Sequence, residues 1–285
     1  MNNYVLSNGV KIPAVGYGTW AMSPEECASV TAEAIRAGYR HIDTAFYYGT
    51  EEAVGQAVAR SGADRSELFL ATKAWQTELG YDNILRAFDR SLKNMNVDYI
   101  DLYLIHWPLP VSDYPDGEKL DQESWKAMEY LYEQGGAKAV GVCNFLPHHL
   151  KNLLDVCNVP PMANQIEFHP GFIQEETVQF CKEHNILVEA WSPLGRRRLA
   201  EHPLLLELAE QYGVSLAQIC LRFALQCGIL PLPRSSNPER MRQNLQLDFS
   251  LSQADMDRIL TMPQTGWSGL HPDKNVPKDA RPFSF

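Results

Sequence analysis

The chain has 285 residues, of which 45% are hydrophobic, and its formal net charge is −10. An acidic chain repels phosphate backbones, so the composition disfavours nucleic acid as a partner. No segment approaches the roughly 18 consecutive apolar residues that a membrane span needs, and the N-terminus lacks the basic and apolar regions of a signal peptide.

The first predicted element is a small hairpin over residues 3–13, because Ser7-Asn8-Gly9 is a turn signal. Short apolar runs then alternate with amphipathic segments, and we interpret each run as a strand. The eight runs are AVGYG (14–18), YRHID (39–43), LFLATK (68–73), YIDLYLIH (99–106), AKAVGV (137–142), MANQIE (162–167), ILVEA (186–190) and GILPL (228–232).

Helices are predicted between the runs. The first has Ser23 as its cap, Pro24 at the first helical position, Glu26 closing a capping box and Gly38 as its stop. Helical spacing recurs at 82–93, 121–133, 174–184 and 215–226, and additional helices are predicted at 203–211 and from about Ser252.

This alternation predicts an α/β protein, a (β/α)8 TIM barrel forming a single domain over residues 1–285, with an N-terminal β-hairpin and extra C-terminal helices. A doubly wound open sheet is the alternative fold. Its first turn would usually carry GxGxxG for a dinucleotide, whereas GYGTWAMSPEE has only two of these glycines and places Trp20 where the backbone would approach.

Polar residues end three neighbouring runs of the predicted barrel. Asp43 ends the second, Lys73 the third and His106 the fourth, and Tyr48 follows Asp43 in the next loop. The active site of such a barrel lies at the C-terminal ends of its strands. A single polar residue at a strand end is usually where the chain meets water, but four ionisable groups on adjacent strands predict a shared site.

The four side chains suit the reduction of a carbonyl group. A tyrosine has a pKa of about 10 in water, and a nearby ammonium such as Lys73 would lower the pKa of Tyr48. Asp43 would hold Lys73 charged. His106 would donate a hydrogen bond to the carbonyl oxygen, and Tyr48 would protonate that oxygen as a hydride reaches the carbon.

Three motifs occur in order along the chain: DTAxxYGxE at Asp43–Glu51, the lysine Lys73, and IDLYLIHWP at 100–108. With them the chain resembles the aldo-keto reductases over essentially its whole length, most closely bacterial members related to 2,5-diketo-D-gluconate and glyoxal reductases. The resemblance implies NADPH as hydride donor, small aldehydes, dicarbonyls or keto sugars as substrates, and a monomer. The alternative within the superfamily is a non-catalytic NADP(H)-binding sensor or regulatory relative.

The resemblance also implies the residues that bind cofactor and substrate. Asn144 and Gln165 would hold the nicotinamide amide, with Cys143 replacing the family's serine before Asn144. Trp191 would stack on the nicotinamide ring. The remaining cofactor contacts would come from Thr19, Trp20, Asp43, Ser192, Leu194 and Gly195. Beside Tyr48 and His106, an apolar substrate wall would comprise Trp20, Tyr47, Trp75 and Trp107, with core packing about as good an explanation for Trp75.

The segment PLPRSSNPERMRQN (231–244) predicts a helix that begins at Pro238 with Asn237 as its cap. A helix N-terminus surrounded by donors suits the 2′-phosphate of NADPH. The predicted contacts are Arg234, Ser235, Ser236, Asn237 and Arg240, with Gln243 and Asn244 matching residues that contact adenine. By itself this segment would be interpreted as an ordinary helix start at the surface. A separate basic run, Arg196-Arg197-Arg198, is interpreted as a solvated loop.

Three further expectations complete the sequence-based picture. A metal-dependent hydrolase would need an HxH on the first strand, and His41-Ile42-Asp43 on the second is too little, so no metal site is predicted. The six cysteines form no CxxC pair and indicate reduced thiols in the cytoplasm. The modest loop at about 108–120, which includes Asp113, predicts an open substrate site, and the C-terminal tail with Trp267 and His271 would fold over it by the same resemblance.

Overall fold

The computed structural model describes residues 3–110 and 114–274. An antiparallel hairpin of β1 (Asn3–Val5) and β2 (Lys11–Pro13) comes first, as predicted. The eight strands that follow are β3 (Gly16–Gly18), β4 (His41–Asp43), β5 (Phe69–Ala74), β6 (Leu102–Ile105), β7 (Val140–Cys143), β8 (Ala163–Glu167), β9 (Leu187–Trp191) and β10 (Leu230–Pro231). Each of the eight predicted runs overlaps one of them to within one residue at its C-terminal end, so the strand prediction is confirmed.

The eight strands are parallel and pair in sequence order from β3 to β10, which gives a nearly closed (β/α)8 barrel. The backbone N–H of Gly18 donates to Pro233 O at 3.1 Å and joins the first strand to the end of the last. Gly16 is required beside this seam, because a Cβ there would lie 2.7 Å from His41 Nδ1 and would also collide with Leu232.

The described helices are α1 (Pro24–Ala37), α2 (Glu51–Ser61), α3 (Tyr81–Met95), α4 (Gly117–Glu133), α5 (Pro147–Leu154), α6 (Glu175–Glu183), α7 (Pro203–Tyr212), α8 (Leu216–Gln226), α9 (Pro238–Gln243) and α10 (Gln253–Leu260). The start of α1 is as predicted: Ser23 Oγ accepts from Glu26 N at 3.2 Å. The carboxylate of Glu26, expected to close a capping box, instead accepts from Arg234 at 3.3 Å.

Two helices were not predicted. Helix α5 has only eight residues, too few for a clear periodicity. Helix α2 contains Gly55, which weakens a helical pattern. This glycine has a tertiary role, because a Cβ there would collide with the backbone of Met95 at the end of α3. The position therefore follows helix packing and not local propensity.

One large apolar cluster fills the barrel and the space between strands and helices. A second cluster lies at the C-terminal end of the barrel and contains the site described below. Among the helices of the described residues, none has the length and apolar character needed to cross a membrane. Asp113 of the loop after β6, and the last eleven residues of the predicted single domain (275–285), lie outside the described residues.

Candidate active site

The four predicted catalytic residues meet at the C-terminal end of the barrel. Asp43 ends β4, Lys73 lies next to the end of β5, and His106 directly follows β6. Tyr48 ends a single 3₁₀ turn, Phe46–Tyr48, after β4. Lys73 Nζ is 5.1 Å from the centre of the Tyr48 ring, and the rings of Tyr48 and His106 are 5.5 Å apart between centroids.

Lys73 and Asp43 form a buried ion pair. Lys73 Nζ donates to both carboxylate oxygens of Asp43 at 2.7 Å and to Thr44 O at 2.8 Å. Lys73 is 0% exposed and Asp43 3%. Burial lowers the pKa of Lys73, but the charge and hydrogen bond of Asp43, together with Tyr48 and Cys143, exceed this effect and the net pKa is raised. Lys73 is therefore a fixed ammonium ion.

The electrostatics of Tyr48 and His106 differ in part from expectation. Burial raises the pKa of Tyr48, and the predicted lowering by Lys73 is present but smaller than this effect. Burial, with the Lys73 ammonium acting in the same direction, holds the pKa of His106 well below its usual value. His106 is therefore a neutral imidazole, and the neighbouring Tyr48 is a protonated phenol. Each side chain can donate a hydrogen bond at the site.

An aromatic wall surrounds these two side chains. Tyr47 stacks on Trp75 with ring centroids 3.8 Å apart, and Trp20 also stacks with Tyr47, at 6.0 Å. Trp75 is 1% exposed, yet its ring also meets His106 edge-on at 5.0 Å. Trp75 thus has a core role and also supports the site. Trp107 is buried in the same cluster.

Asn144 joins two parts of the site. Its backbone is left-handed, with φ of +63°, and its side-chain Nδ2 donates to His106 O at 3.0 Å. Its Oδ1 accepts from Trp191 Nε1 at 2.7 Å. Asn144 therefore holds the Trp191 ring and the backbone of His106 in fixed positions. Cys143, which precedes it, is 1% exposed, and burial raises the pKa of its thiol.

The loop after β9 turns sharply beside Trp191. Ser192 and Gly195 are left-handed, at φ +51° and +58°, and Leu194 between them is half-buried. Arg196 Nε donates to Ser192 Oγ at 3.1 Å, and its guanidinium lies 5.2 Å from the centre of the Trp191 ring. The residue is exposed, as expected for a solvated loop, but its charged group covers the ring predicted to stack on nicotinamide.

The predicted phosphate-binding segment forms as expected at its helix start. Asn237 caps α9, accepting from Arg240 N at 3.0 Å. Arg234, Ser236 and Arg240 are exposed, and Ser235 and Gln243 are half-buried. Asn244, the predicted adenine contact, is only 4% exposed. Thr19 of the first loop is fully buried and donates to Asp43 O at 3.1 Å, so it braces β4 from below the rim.

A buried network beneath the site was not predicted. Gln165 Nε2 donates to Asp43 Oδ2 at 2.9 Å and to Glu189 Oε2 at 3.0 Å. Glu189 and His41 are both 0% exposed, and His41 Nε2 lies 3.8 Å from Glu189 Oε1. The sequence signal was available, because Glu189 is an acidic residue inside the apolar run ILVEA.

The two ends of this network have displaced pKa values. Burial raises the pKa of Glu189 to about 8, and the Asp43 carboxylate acts in the same direction. Burial lowers the pKa of His41 to about 3, and Lys73 adds to this. Near neutral pH, Glu189 is therefore a carboxylic acid and His41 a neutral imidazole.

This displacement predicts a pH-dependent stability. Between pH 4.5 and about 8 the native state holds a proton on Glu189 that the unfolded chain has lost. The free energy of unfolding therefore falls as pH rises through this window, by a few kcal/mol at about 1.4 kcal/mol per pKa unit. The glutamine in Glu189→Gln cannot titrate. We therefore expect the difference in the free energy of unfolding, wild type minus Glu189→Gln, to fall with rising pH.

Chemical denaturation of both proteins across this pH range makes the measurement. His41 acts in the opposite sense, favouring the folded state as pH rises from about 3 to 6.5, but it is present in both proteins. A difference between wild type and variant that stays constant across the window would show that Glu189 does not titrate there.

The C-terminal tail is anchored over the site. Ser268 donates from its backbone N and its Oγ to the Glu167 carboxylate at 2.9 and 2.7 Å. Trp267 stacks on Phe172 at 6.0 Å, and Leu270 packs on the aromatic wall. These contacts make Leu270 part of the boundary of the site.

Asp273 lies further along this tail, where its Oδ1 is 3.1 Å from His148 Nε2 and 3.0 Å from His149 Nε2. The three side chains could be considered metal ligands. However, His149 Nδ1 accepts from Leu146 N at 3.1 Å, which puts the proton of the neutral ring on Nε2. A metal-bound histidine instead donates from its second nitrogen. The contact is therefore a hydrogen bond that holds the tail.

The chain matches known proteins over nearly its full length. A model of the aldo/keto reductase family matches residues 14–262. A 9,11-endoperoxide prostaglandin H2 reductase of Trypanosoma cruzi is 42% identical over 281 residues, which cover 97% of this chain and 96% of the relative. A glyoxal reductase of Bacillus subtilis is 41% identical over 271 residues, which cover 94% and 95%. The crystal structure of a Bombyx mori aldo-keto reductase in complex with NADP has a TM-score of 0.84 at 37% identity, covering 90% of this chain and 91% of that one.

Proposed function

The chain belongs to the aldo/keto reductase family, and from this premise we propose that it reduces small aldehydes, dicarbonyls or keto sugars to alcohols with NADPH. The resemblance drawn from the motifs is confirmed at the level of the family. The observation that carries the proposal is the buried Lys73–Asp43 pair beneath Tyr48, with neutral His106 beside it. This set supplies a proton donor, a group that stabilises its anion, and a second hydrogen-bond donor.

The proposed roles follow from charge and position. NADPH, when bound, supplies the hydride. His106, uncharged, donates a hydrogen bond that orients the carbonyl oxygen. Tyr48 gives that oxygen its proton, and the fixed ammonium of Lys73 stabilises the phenolate that remains. Asp43 keeps Lys73 charged, and the stacked rings of Tyr47 and Trp75 exclude water from the proton donor.

The residues present fit NADPH. Trp191 offers a half-buried ring that Asn144 holds in place, and Gln165 lies on β8 between Cys143 of β7 and Glu189 of β9. Ser192 and Gly195, both left-handed in the turn after β9, would hold the pyrophosphate of the cofactor. The rim carries exposed cations in a chain of net charge −10, namely Arg196, Arg234 and Arg240. Members of the family have been solved with NADP or NADPH bound.

Arg234 is proposed to bind the 2′-phosphate, and its substitution tests cofactor preference. Arg234→Met should weaken NADPH binding about 10- to 100-fold, because a charge-assisted hydrogen bond of about 1.5–3 kcal/mol is lost. Binding of NADH, which lacks this phosphate, should hardly change. Fluorescence titration with both cofactors makes the measurement.

Arg242→Met is the matched control, since Arg242 lies in α9, which follows Arg234 in the chain, is exposed and pairs only at 3.9 Å with Glu33. If Arg234→Met weakened the binding of NADPH and of NADH equally, Arg234 would not be the residue that binds the 2′-phosphate.

The non-catalytic, cofactor-binding alternative makes a different prediction. A reductase and a non-catalytic relative would both bind NADPH. Only a reductase would oxidise NADPH when carbonyl compounds are added. A panel of small aldehydes, dicarbonyls and keto sugars, followed by NADPH absorbance, separates the two. The monomeric state and the cytoplasmic location stay predictions, and sedimentation and cell fractionation test them.

A further inference from the structure

Gln165 is held from two sides by acidic groups in the barrel interior. Its Nε2 donates to Asp43 Oδ2 at 2.9 Å and to Glu189 Oε2 at 3.0 Å. The side-chain amide has two N–H donors and one carbonyl acceptor. Both donors are thus committed to carboxyl oxygens, and no described residue donates to Oε1.

The charges of this interior require Glu189 to be neutral. Asp43 from β4 and Glu189 from β9 are two carboxyls, and Lys73 from β5 is the one ammonium, which donates to both oxygens of Asp43. The other titratable groups facing Glu189 are His41 from β4 and Cys143 from β7. A second buried carboxylate would be uncompensated, which is far costlier than a protonated acid.

A neutral Glu189 still accepts from Gln165 through Oε2. Its other oxygen, Oε1, faces His41 Nε2 at 3.8 Å, and within the described part of the chain both atoms are buried without a hydrogen bond. The acid proton is therefore assigned to Oε1, the oxygen that accepts no hydrogen bond, and Oε2 remains the acceptor for Gln165. Removal of this acceptor would leave one Gln165 N–H unpaired and allow the amide to rotate.

Resting on the proposed function, we propose that Glu189 is a positioning residue for the nicotinamide end of NADPH. It acts through Gln165: with Nε2 fixed between Glu189 and Asp43, Gln165 Oε1 is held as the acceptor for the amide N–H of the nicotinamide. Glu189 does not contact the cofactor. Its contribution depends on the presence of Gln165, which distinguishes positioning from general support of the barrel.

Fluorescence titration with NADPH, without a carbonyl compound, tests this dependence in four variants. Glu189→Leu removes the acceptor and should weaken NADPH binding about tenfold, equivalent to about 1.4 kcal/mol. Glu189→Gln keeps an acceptor oxygen and should return affinity to within about twofold of wild type. Gln165→Leu should also weaken binding, and Glu189→Leu added to it should cost nothing more.

Glu129→Leu is the matched control, because Glu129 is also buried and accepts backbone N–H bonds, but it lies in α4 away from the site. It should lower thermal stability without changing NADPH affinity. If Glu189→Leu does not fold, Glu189→Ala makes the same comparison.

Two results would overturn the inference: unchanged affinity in folded Glu189→Leu, or an equal loss in the presence and absence of Gln165. If wild type itself does not bind NADPH, the proposed function fails and the inference falls with it. If wild type binds NADPH and Glu189→Leu binds it equally well, only the proposed role of Glu189 is refuted and the proposed function stands.

Discussion

Replacing Tyr48 by phenylalanine is expected to lower the turnover of carbonyl substrates by about 10²–10⁴-fold, the usual contribution of a general acid. The variant keeps the ring that packs against Trp20 and His106, at centroid distances of 4.8 and 5.5 Å, and loses only the hydroxyl. NADPH affinity should therefore stay near that of wild type. Turnover is measured by NADPH oxidation, and affinity by fluorescence titration.

Tyr103→Phe is the control for the loss of a buried phenol, since Tyr103 lies in β6 with its side chain in the large apolar cluster. It should leave turnover unchanged. Substantial activity in Tyr48→Phe would move the acid role to another group, with His106 as the nearest donor. Binding of NADPH by wild type without turnover of any carbonyl would favour the non-catalytic alternative.

Replacing Lys73 by methionine should have the largest effect on stability. The change leaves the Asp43 carboxylate buried at 3% exposure without its cation. Breaking one partner of a buried ion pair costs about 3–5 kcal/mol. Turnover should fall as well, because the phenolate of Tyr48 loses its stabilising charge. Denaturant unfolding gives the first quantity, and NADPH oxidation the second.

The double variant Asp43→Asn with Lys73→Met separates the two effects. It removes the stranded charge, and the carbonyl oxygen of the new asparagine side chain can still accept from Gln165, so most of the stability should return while turnover stays low. Lys119→Met is the surface control, because Lys119 is 77% exposed and lies 3.9 Å from Glu123; its effect should be below about 1 kcal/mol. A stable Lys73→Met protein would mean that Asp43 takes up a proton at little cost.

The sequence predicted the barrel and its rim because both depend on local pattern. Each apolar run marks a strand, and parallel strands bring their C-terminal ends to one edge, so Asp43, Lys73 and His106 had to be neighbours. Tyr48 follows from the loop after Asp43. The family motifs added the identity of the cofactor, which no spacing of residues provides by itself.

Other features depend on tertiary contacts and were missed. Helix α2 was not predicted, and the glycine inside it, Gly55, is explained only by the backbone of Met95 across the helix interface. Glu189 is one residue in an apolar strand, and only the folded barrel places it beside Gln165 and His41. The pKa of Tyr48 was predicted to be lowered by one neighbouring charge, that of Lys73. Burial raises this pKa, and its effect is the larger of the two.

The three hydrogen bonds of Lys73 have a consequence for the proposed reduction of aldehydes. A neutral lysine amine condenses with an aldehyde to form a Schiff base, because its nitrogen carries a lone pair. Lys73 donates all three of its N–H groups, to two oxygens of Asp43 and to Thr44 O, and its pKa is raised. It has no lone pair to offer. For this reason Lys73, although it lies in the proposed site, would not form a Schiff base with the substrate.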